Sequence, residues 1–435
     1  MAIVKAFRGV RYDLSKAGTG LGQLACPPYD IVSPARQRAL HERHPDNFIH
    51  VDFGLPEAGD VPGQEDIYTR AAALWQAWLT SGVVKEDDTP RFYLYRQNFA
   101  ATVGGVDARF SRLGLVASVH AEDFGGRILP HERTLAEPKE DRFRLTMATR
   151  AQLGQVFFLY DDPEHVVEAQ AAAALASAPL ARFLDDDSVE HILWELTDPA
   201  AIASIEAMFQ DKKCLIADGH HRYETSLRVW KTLDPEGKAH HATLATLVNR
   251  CDPGLLVQPI HRIYRGIVGI TQEGLRETLA KRFSVEVYPW AGVDAAESWL
   301  AAEKATHHAF LLRWKDSDEA LFFKAPRGSF GNFPGHGTPW SILDLAVLQQ
   351  VFQEEMLGID PATYPTGTHV IPVHESPLVP ELLDRTPENQ FAVLVNPTSV
   401  EEIAAVARSG ERMPQKSTYF HPKIWSGLVA LRLPS

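Results

Sequence analysis

The sequence predicts a mixed α+β protein built from two units, and three observations carry that expectation. Its 435 residues exceed what one ordinary core accommodates. Short apolar runs bounded by turn residues alternate with stretches of helical periodicity. No repeat of about 20–50 residues and no low-complexity linker interrupts the alternation, which sets aside solenoid and fibrous architectures.

In chain order, IYTRAAALWQAWLTSG reads as an amphipathic helix with Leu74, Trp75 and Trp78 on one side, stopped at Gly82. RFYLYRQNF, SRLGLVASV and QVFFLY read as strands, and the Ala-rich VVEAQAAAALASAPLARFL as a surface or half-buried helix broken by Pro179. KCLIA is a short buried strand and RYETSLRVWKTL the helix after it. The first unit is expected over residues 1–245 and the second over 246–435. In the second, TQEGLRETLAKRF and VDAAESWLAAEKA are helices and SVEVY a strand. HAFLLRW and ALFFKA form a hairpin around KDSDE. SILDLAVLQQVFQEEMLGI is a helix closed by Gly358, and FAVLVN, VEEIAAVARSG and IWSGLVALRL add further strand and helix.

A hydrophobic content of 45% with 23% charged residues marks a globular chain. The net charge of −13 gives no long-range attraction for nucleic acid or an anionic membrane, so any phosphate site must be local to a cleft. Three cysteines, Cys26, Cys214 and Cys251, with no CxxC spacing argue against a disulfide framework or structural zinc, and for a reducing cytoplasm. The N-terminal MAIVKAFRGVRYDL lacks a signal-peptide core, and no apolar stretch approaches 18 residues, so no membrane span is expected.

The densest chemistry lies in IADGHHRYETSL, residues 216–227. A strand, an Asp-Gly turn and a helix bring backbone N–H groups and the positive end of the helix to one point, which is an anion site by geometry. Arg222 adds a planar fork for phosphate or carboxylate, and His220 and His221 are donors that titrate near neutrality. Asp218 can cap the helix, orient a histidine or hold a divalent cation; as a plain N-cap it would leave the histidines as solvated turn residues. PHERTLAEPKEDRFRL gathers His131, Glu132, Arg133, Lys139, Asp141 and Arg142. There Glu132 can accept a proton, and Lys139 and Arg142 can neutralise phosphoryl charge; the alternative is a solvated charged helix. In CPPYDIVSP, Tyr29 and Asp30 either reach a substrate or belong to a rigid connector fixed by two prolines.

Other motifs are weaker. SGERMPQKSTYFHPK resembles a Walker A loop, but Gln415 replaces the required glycine, Pro414 removes an N–H, and the segment follows a helix. Lys416, Ser417 and Lys423 remain candidate contacts for an anionic ligand. GTGLGQL, spaced GxGxG with no strand before it, reads as a flexible loop. HRIYR leaves His261 and Arg262 as ligand candidates. No HExxH or HxH pattern points to a metal site, and Mg²⁺ carried by a nucleotide needs few protein ligands.

IADGHHRYETSL, together with PPYDIVS, NFIHV, FYLYRQ, LPHERTL, DPGLLVQPIHR and MPQKSTYFHPK, resembles the domain-of-unknown-function family 1015 over nearly the whole chain. The DGHHR box of that family is similar to the box of the ParB/sulfiredoxin-like fold, in which free-serine kinases hold nucleotide phosphates and use a separate glutamate as base. The resemblance implies a ParB/sulfiredoxin-like first unit with insertions and an α+β second unit. It implies a cytoplasmic phosphotransferase using ATP or ADP with Mg²⁺, and free L-serine as the first acceptor to consider. Asp218, Gly219, His220, His221 and Arg222 would bind the nucleotide with Lys139, Arg142 and Lys416. Glu132, His221 and Asp218 would be catalytic, and Tyr29 and Asp30 would contact substrate. The alternatives are a nucleotide-binding ParB-like regulator without kinase activity and a phosphate-ester hydrolase.

Overall fold

The structure is a computed structural model that describes residues 3–134, 136–237 and 240–434. Met1, Ala2 and Leu135, which fall in stretches quoted above, lie outside the described residues. Helix accounts for 33% of the chain and strand for 29%, so neither class dominates and the fold is α+β.

The first sheet has nine strands: β1 (Val4–Lys5), β2 (Phe92–Val103), β3 (Val106–His120), β4 (Ile128–Leu129), β5 (Val156–Tyr160), β6 (Ala181–Leu184), β7 (Glu190–Leu196), β8 (Cys214–Asp218) and β9 (Ala242–Asn249). They lie in the order β4-β8-β5-β9-β3-β2-β7-β6, with β1 beside β3. All five residues of β5 and all eight of β9 are buried, which is why these read as continuous apolar runs without alternation. Three helices matter for the site: α1 (Ile67–Ser81), α2 (Ala136–Thr149) and α3 (His220–Leu233). An Asp66–Thr69 capping box starts α1 and Gly82, at φ +80°, ends it; Trp75 and Trp78 are buried as the periodicity predicts.

The second sheet comprises β10 (His261–Arg265), β11 (Ser284–Pro289), β12 (His307–Trp314), β13 (Glu319–Pro326), β14 (Val370–Val373) and β15 (Asn389–Val395), ordered β11-β13-β12-β15-β10-β14. Beyond it the chain returns to the first unit. Ala430–Arg432 pairs with Gly9–Tyr12 and Ala151–Gln152, and Met413, Phe420, Trp425 and Leu428 join the first core. This return carries the 413–426 segment onto the DGHHR turn.

Three segments differ from their sequence reading. GTGLGQL is not a flexible loop: Leu21–Leu24 forms a helical turn because Leu21 and Leu24 have apolar surface to bury. The helix predicted over 341–359 is α-helical at Asp344–Val347 and then a π-helix over Leu348–Met356. The wider winding turns Leu348, Phe352 and Gln353 inward together, and the Gln353 amide donates to Tyr264 Oη at 2.8 Å. Finally, the Ala-rich run is helical only over Val166–Leu175, and its tail becomes edge strand β6.

Candidate functional site

β8 carries Asp218 to the sheet edge through a register shift against β5 between Ile216 and Asp218, a bulge that re-aims its end. Gly219 follows at φ +87°, a left-handed conformation that glycine adopts without strain. The turn is so tight that α3 begins at His220, two residues before the sequence pattern suggested. No side chain caps the start of α3. Asp218 is therefore not an N-cap, and the first-turn N–H groups keep their anion-binding character.

Asp218 is instead gripped by two cations. Lys423 Nζ lies 3.0 Å from its Oδ1 and an Arg222 terminal nitrogen 3.1 Å from its Oδ2. Burial would push this carboxyl up, but Lys423 and Arg222 outweigh it and hold it well below the usual carboxylate range. Arg222 also donates to the Gln155 carbonyl and to Asp30 Oδ2 at 3.4 Å. Burial opposes its charge, while Asp30 and Asp218 more than restore it.

The two histidines face different surroundings. His220 is buried, and its Nε2 accepts the backbone N–H groups of His131 at 3.2 Å and Glu132 at 3.3 Å. Burial lowers its pKa, so the ring is neutral and holds the Glu132 loop against the turn. His131 is fully buried; its Nδ1–H donates to the Ile216 carbonyl at 2.7 Å, which leaves Nε2 to accept from Thr418 Oγ1 at 3.0 Å. Burial brings it down to about 4. His221 is half-buried among the carboxylates of Glu132, Asp30 and Glu224, which partly offset the lowering of its pKa by burial. Burial raises the Glu132 carboxyl, tempered by Lys416, Lys423 and His221.

The remaining sequence candidates divide into those near the turn and those set apart. Lys416 is exposed on the returning segment, with its backbone carbonyl 2.7 Å from an Arg262 terminal nitrogen. Lys139 is paired with Glu224 of α3 at 2.8 Å. Arg142 lies behind Arg222, donating to Asp52 Oδ1 at 3.0 Å and to Asp141, and sits 4.0 Å from the Tyr29 ring centroid. Tyr29 is pushed up to about 12 by burial and by Asp30. Beside Lys423 opens a cleft of about 450 Å³, lined by Tyr419, His421, Trp425 and His374 together with Asp185 and Asp187.

Sequence reasoning missed Asp52, which directly follows the NFIHV motif, and it missed Thr418, inside MPQKSTYFHPK beside the recognised Lys416 and Ser417. Their signal lay in those quoted motifs, read one residue too short or for their charges alone. Among the described residues no group of three or more His, Cys, Asp or Glu side chains is arranged to hold a metal ion. Nor is any described helix long and apolar enough to cross a membrane.

The sequence model of the family described as "Protein of unknown function (DUF1015)" matches residues 4–346. No curated protein matches the chain. Among solved structures, the chain is similar to a free serine kinase in complex with AMP, at 13% identity and a TM-score of 0.34, over 68% of this chain and 83% of that one. It is also similar to a conserved hypothetical protein from Pyrococcus furiosus, at 12% identity and a TM-score of 0.33, over 68% and 89%. A third is SbnI with C-terminal truncation from Staphylococcus aureus, at 12% and 0.32, over 68% and 81%.

Proposed function

This chain belongs to the DUF1015 family, and for it we propose a nucleotide-dependent phosphotransferase that acts on a small hydroxyl-bearing metabolite, free L-serine being the first acceptor to test. The observation that carries the reading is the convergence at one helix start of uncapped backbone N–H groups, Arg222 and Lys423, next to the half-buried carboxyl of Glu132. In this reading the phosphates of ATP or ADP lie on the Asp218–Arg222 turn, and Lys423 and Arg222 exchange part of their hold on Asp218 for phosphate oxygens. The 450 Å³ cleft is of a size that takes a nucleoside. Mg²⁺ would arrive on the nucleotide and neutralise phosphate charge. The same reading assigns residues 1–245 to the ParB/sulfiredoxin-like class.

Chemistry then follows from position. Glu132 accepts the proton of the acceptor hydroxyl as that oxygen bonds to the terminal phosphorus, and the bond from phosphorus to the nucleotide's bridging oxygen breaks. The shortened nucleotide leaves with the electron pair. His220 is a positioning residue, since its ring holds the backbone N–H groups of His131 and Glu132, and His131 braces the same loop against Ile216 and Thr418. Fixing the partners in line and neutralising charge supply most of the rate in such transfers. The test is ³¹P NMR of the protein with Mg²⁺, ATP or ADP, and L-serine, run beside Glu132→Gln. O-phosphoserine is expected from wild type and a loss of about 10²–10⁴-fold in the variant. Nucleotide binding without transfer to any hydroxyl acceptor would replace this reading with a nucleotide-binding regulator. Phosphate release from esters without nucleotide would replace it with a hydrolase.

A further inference from the structure

The histidine of HRIYR contacts no ligand, because His261, at the start of β10, has no exposed surface. Its Nδ1 accepts the Val395 N–H of β15 at 3.2 Å, so Nε2 carries the ring proton. That N–H faces Ser376 Oγ at 3.0 Å and Glu297 Oε1 at 3.3 Å, and the Ser376 hydroxyl donates to the same Oε1 at 2.7 Å. Glu297 comes from the helix Val293–Glu303 and Ser376 from the loop after β14, so three separate segments of the second unit fix one carboxylate. Burial would raise the Glu297 pKa, but the hydrogen bonds from His261 and Ser376 outweigh it and hold the group below its ordinary value.

Glu297 lines the 450 Å³ cleft. A carboxylate offers about four acceptor sites, and His261 and Ser376 take two of them on Oε1. Oε2 has no hydrogen-bond partner among the described residues, and with the side chain 12% exposed it stays accessible from the cleft. Lys423 lines the same cleft while its ammonium binds Asp218, so the cleft opens onto the DGHHR turn.

We propose that Glu297 is the sugar anchor of this cleft, accepting the two adjacent ribose hydroxyls of a nucleotide on Oε2, with His261 and Ser376 as positioning residues. The assignment rests on the nucleotide reading above and deepens it. Beyond its phosphates a nucleotide donates through its sugar hydroxyls and, for some bases, a ring amine. Only the hydroxyls form a pair on neighbouring carbons, as two free sites on one oxygen require. Acidic side chains receive ribose hydroxyls in this manner at dinucleotide sites. The second unit then selects ribonucleotides, and the first holds their phosphates.

The test is calorimetric titration of the full chain with ATP, 2′,3′-dideoxyATP and inorganic tripolyphosphate, each with Mg²⁺, in wild type and Glu297→Gln. Wild type should bind ATP at least about tenfold more tightly than the dideoxy analogue, the scale of a hydrogen bond to a charged group. In Glu297→Gln that preference should shrink to less than about threefold. Tripolyphosphate, which has no sugar, reports folding and phosphate binding in both proteins. Equal affinity of wild type for the two nucleotides, or a full preference surviving in Glu297→Gln, overturns the proposal and leaves the phosphate reading standing. Binding of neither nucleotide nor tripolyphosphate to wild type removes both together.

Discussion

Replacing Asp218 by Asn keeps the shape of the side chain and removes its charge. In the folded protein that charge lies between Lys423 and Arg222, whose side chains are each 8% exposed. Removing one partner of a buried ion pair costs about 3–5 kcal/mol, because the other charge stays buried without compensation. Arg222 keeps Asp30 at 3.4 Å, so the lower end applies, about 3 kcal/mol or roughly a hundredfold in the folded-to-unfolded ratio. Urea denaturation from pH 8 down to 3 reads this directly. The folded carboxyl is held below its unfolded value near 3.9, so its contribution is complete above that pH and fades only as pH falls below it. The gap between wild type and Asp218→Asn should stay constant from pH 8 to 5 and narrow below about 4. Inorganic phosphate should narrow it at neutral pH by giving the two cations another anion. A gap under about 1 kcal/mol, or one that widens on acidification, would refute the reasoning.

Three further outcomes follow from the same geometry. Gly219→Ala should destabilise the protein by about 1–2 kcal/mol through its left-handed φ. It should also weaken nucleotide binding, because the new Cβ would stand 3.3 Å from the Arg222 guanidinium; an unchanged melting temperature and affinity would count against the tight turn. His131 is neutral when folded, at about 4 against 6.5 unfolded, so between those values the unfolded chain binds the extra proton. Stability should therefore fall as pH drops from 6.5 to 4, by roughly 3 kcal/mol from this group, and His131→Gln should flatten that slope in acid titrations followed by circular dichroism. Glu132→Gln should abolish transfer while leaving ATP affinity within about threefold of wild type by calorimetry, since the glutamate acts on the acceptor and not on the nucleotide.

The strand–turn–helix of the DGHHR segment was legible because its causes are local: an apolar run, an Asp-Gly turn and helical periodicity. Its exact start was not, since nothing in the pattern says that Gly219 turns within a single left-handed residue. What surrounds the turn is set over long range. Lys423 meets Asp218 across 205 positions and Arg142 meets Asp52 across 90, distances over which charge pattern carries no information about pairing. Lys423 was recognisable as a candidate anion contact; that it grips Asp218 depends on the chain returning from the second sheet to the first core. The π-helix over Leu348–Met356 was equally hidden, because its sequence has ordinary helical periodicity, and the Gln353–Tyr264 hydrogen bond that accompanies the wider winding joins residues 89 positions apart. Leu21 and Leu24 show the opposite failure, in which glycine spacing drew attention away from two buried leucines.

The claim that everything else depends on is that the Asp218–Arg222 turn holds phosphate. Calorimetric titration of ATP with Mg²⁺ into wild type and Lys423→Met tests it most directly, because the methionine keeps the side chain's bulk and removes the ammonium bound to Asp218. Micromolar or millimolar binding to wild type, reduced at least tenfold in the variant, is the predicted result. Equal affinity in the two proteins, or no binding to either, would contradict it.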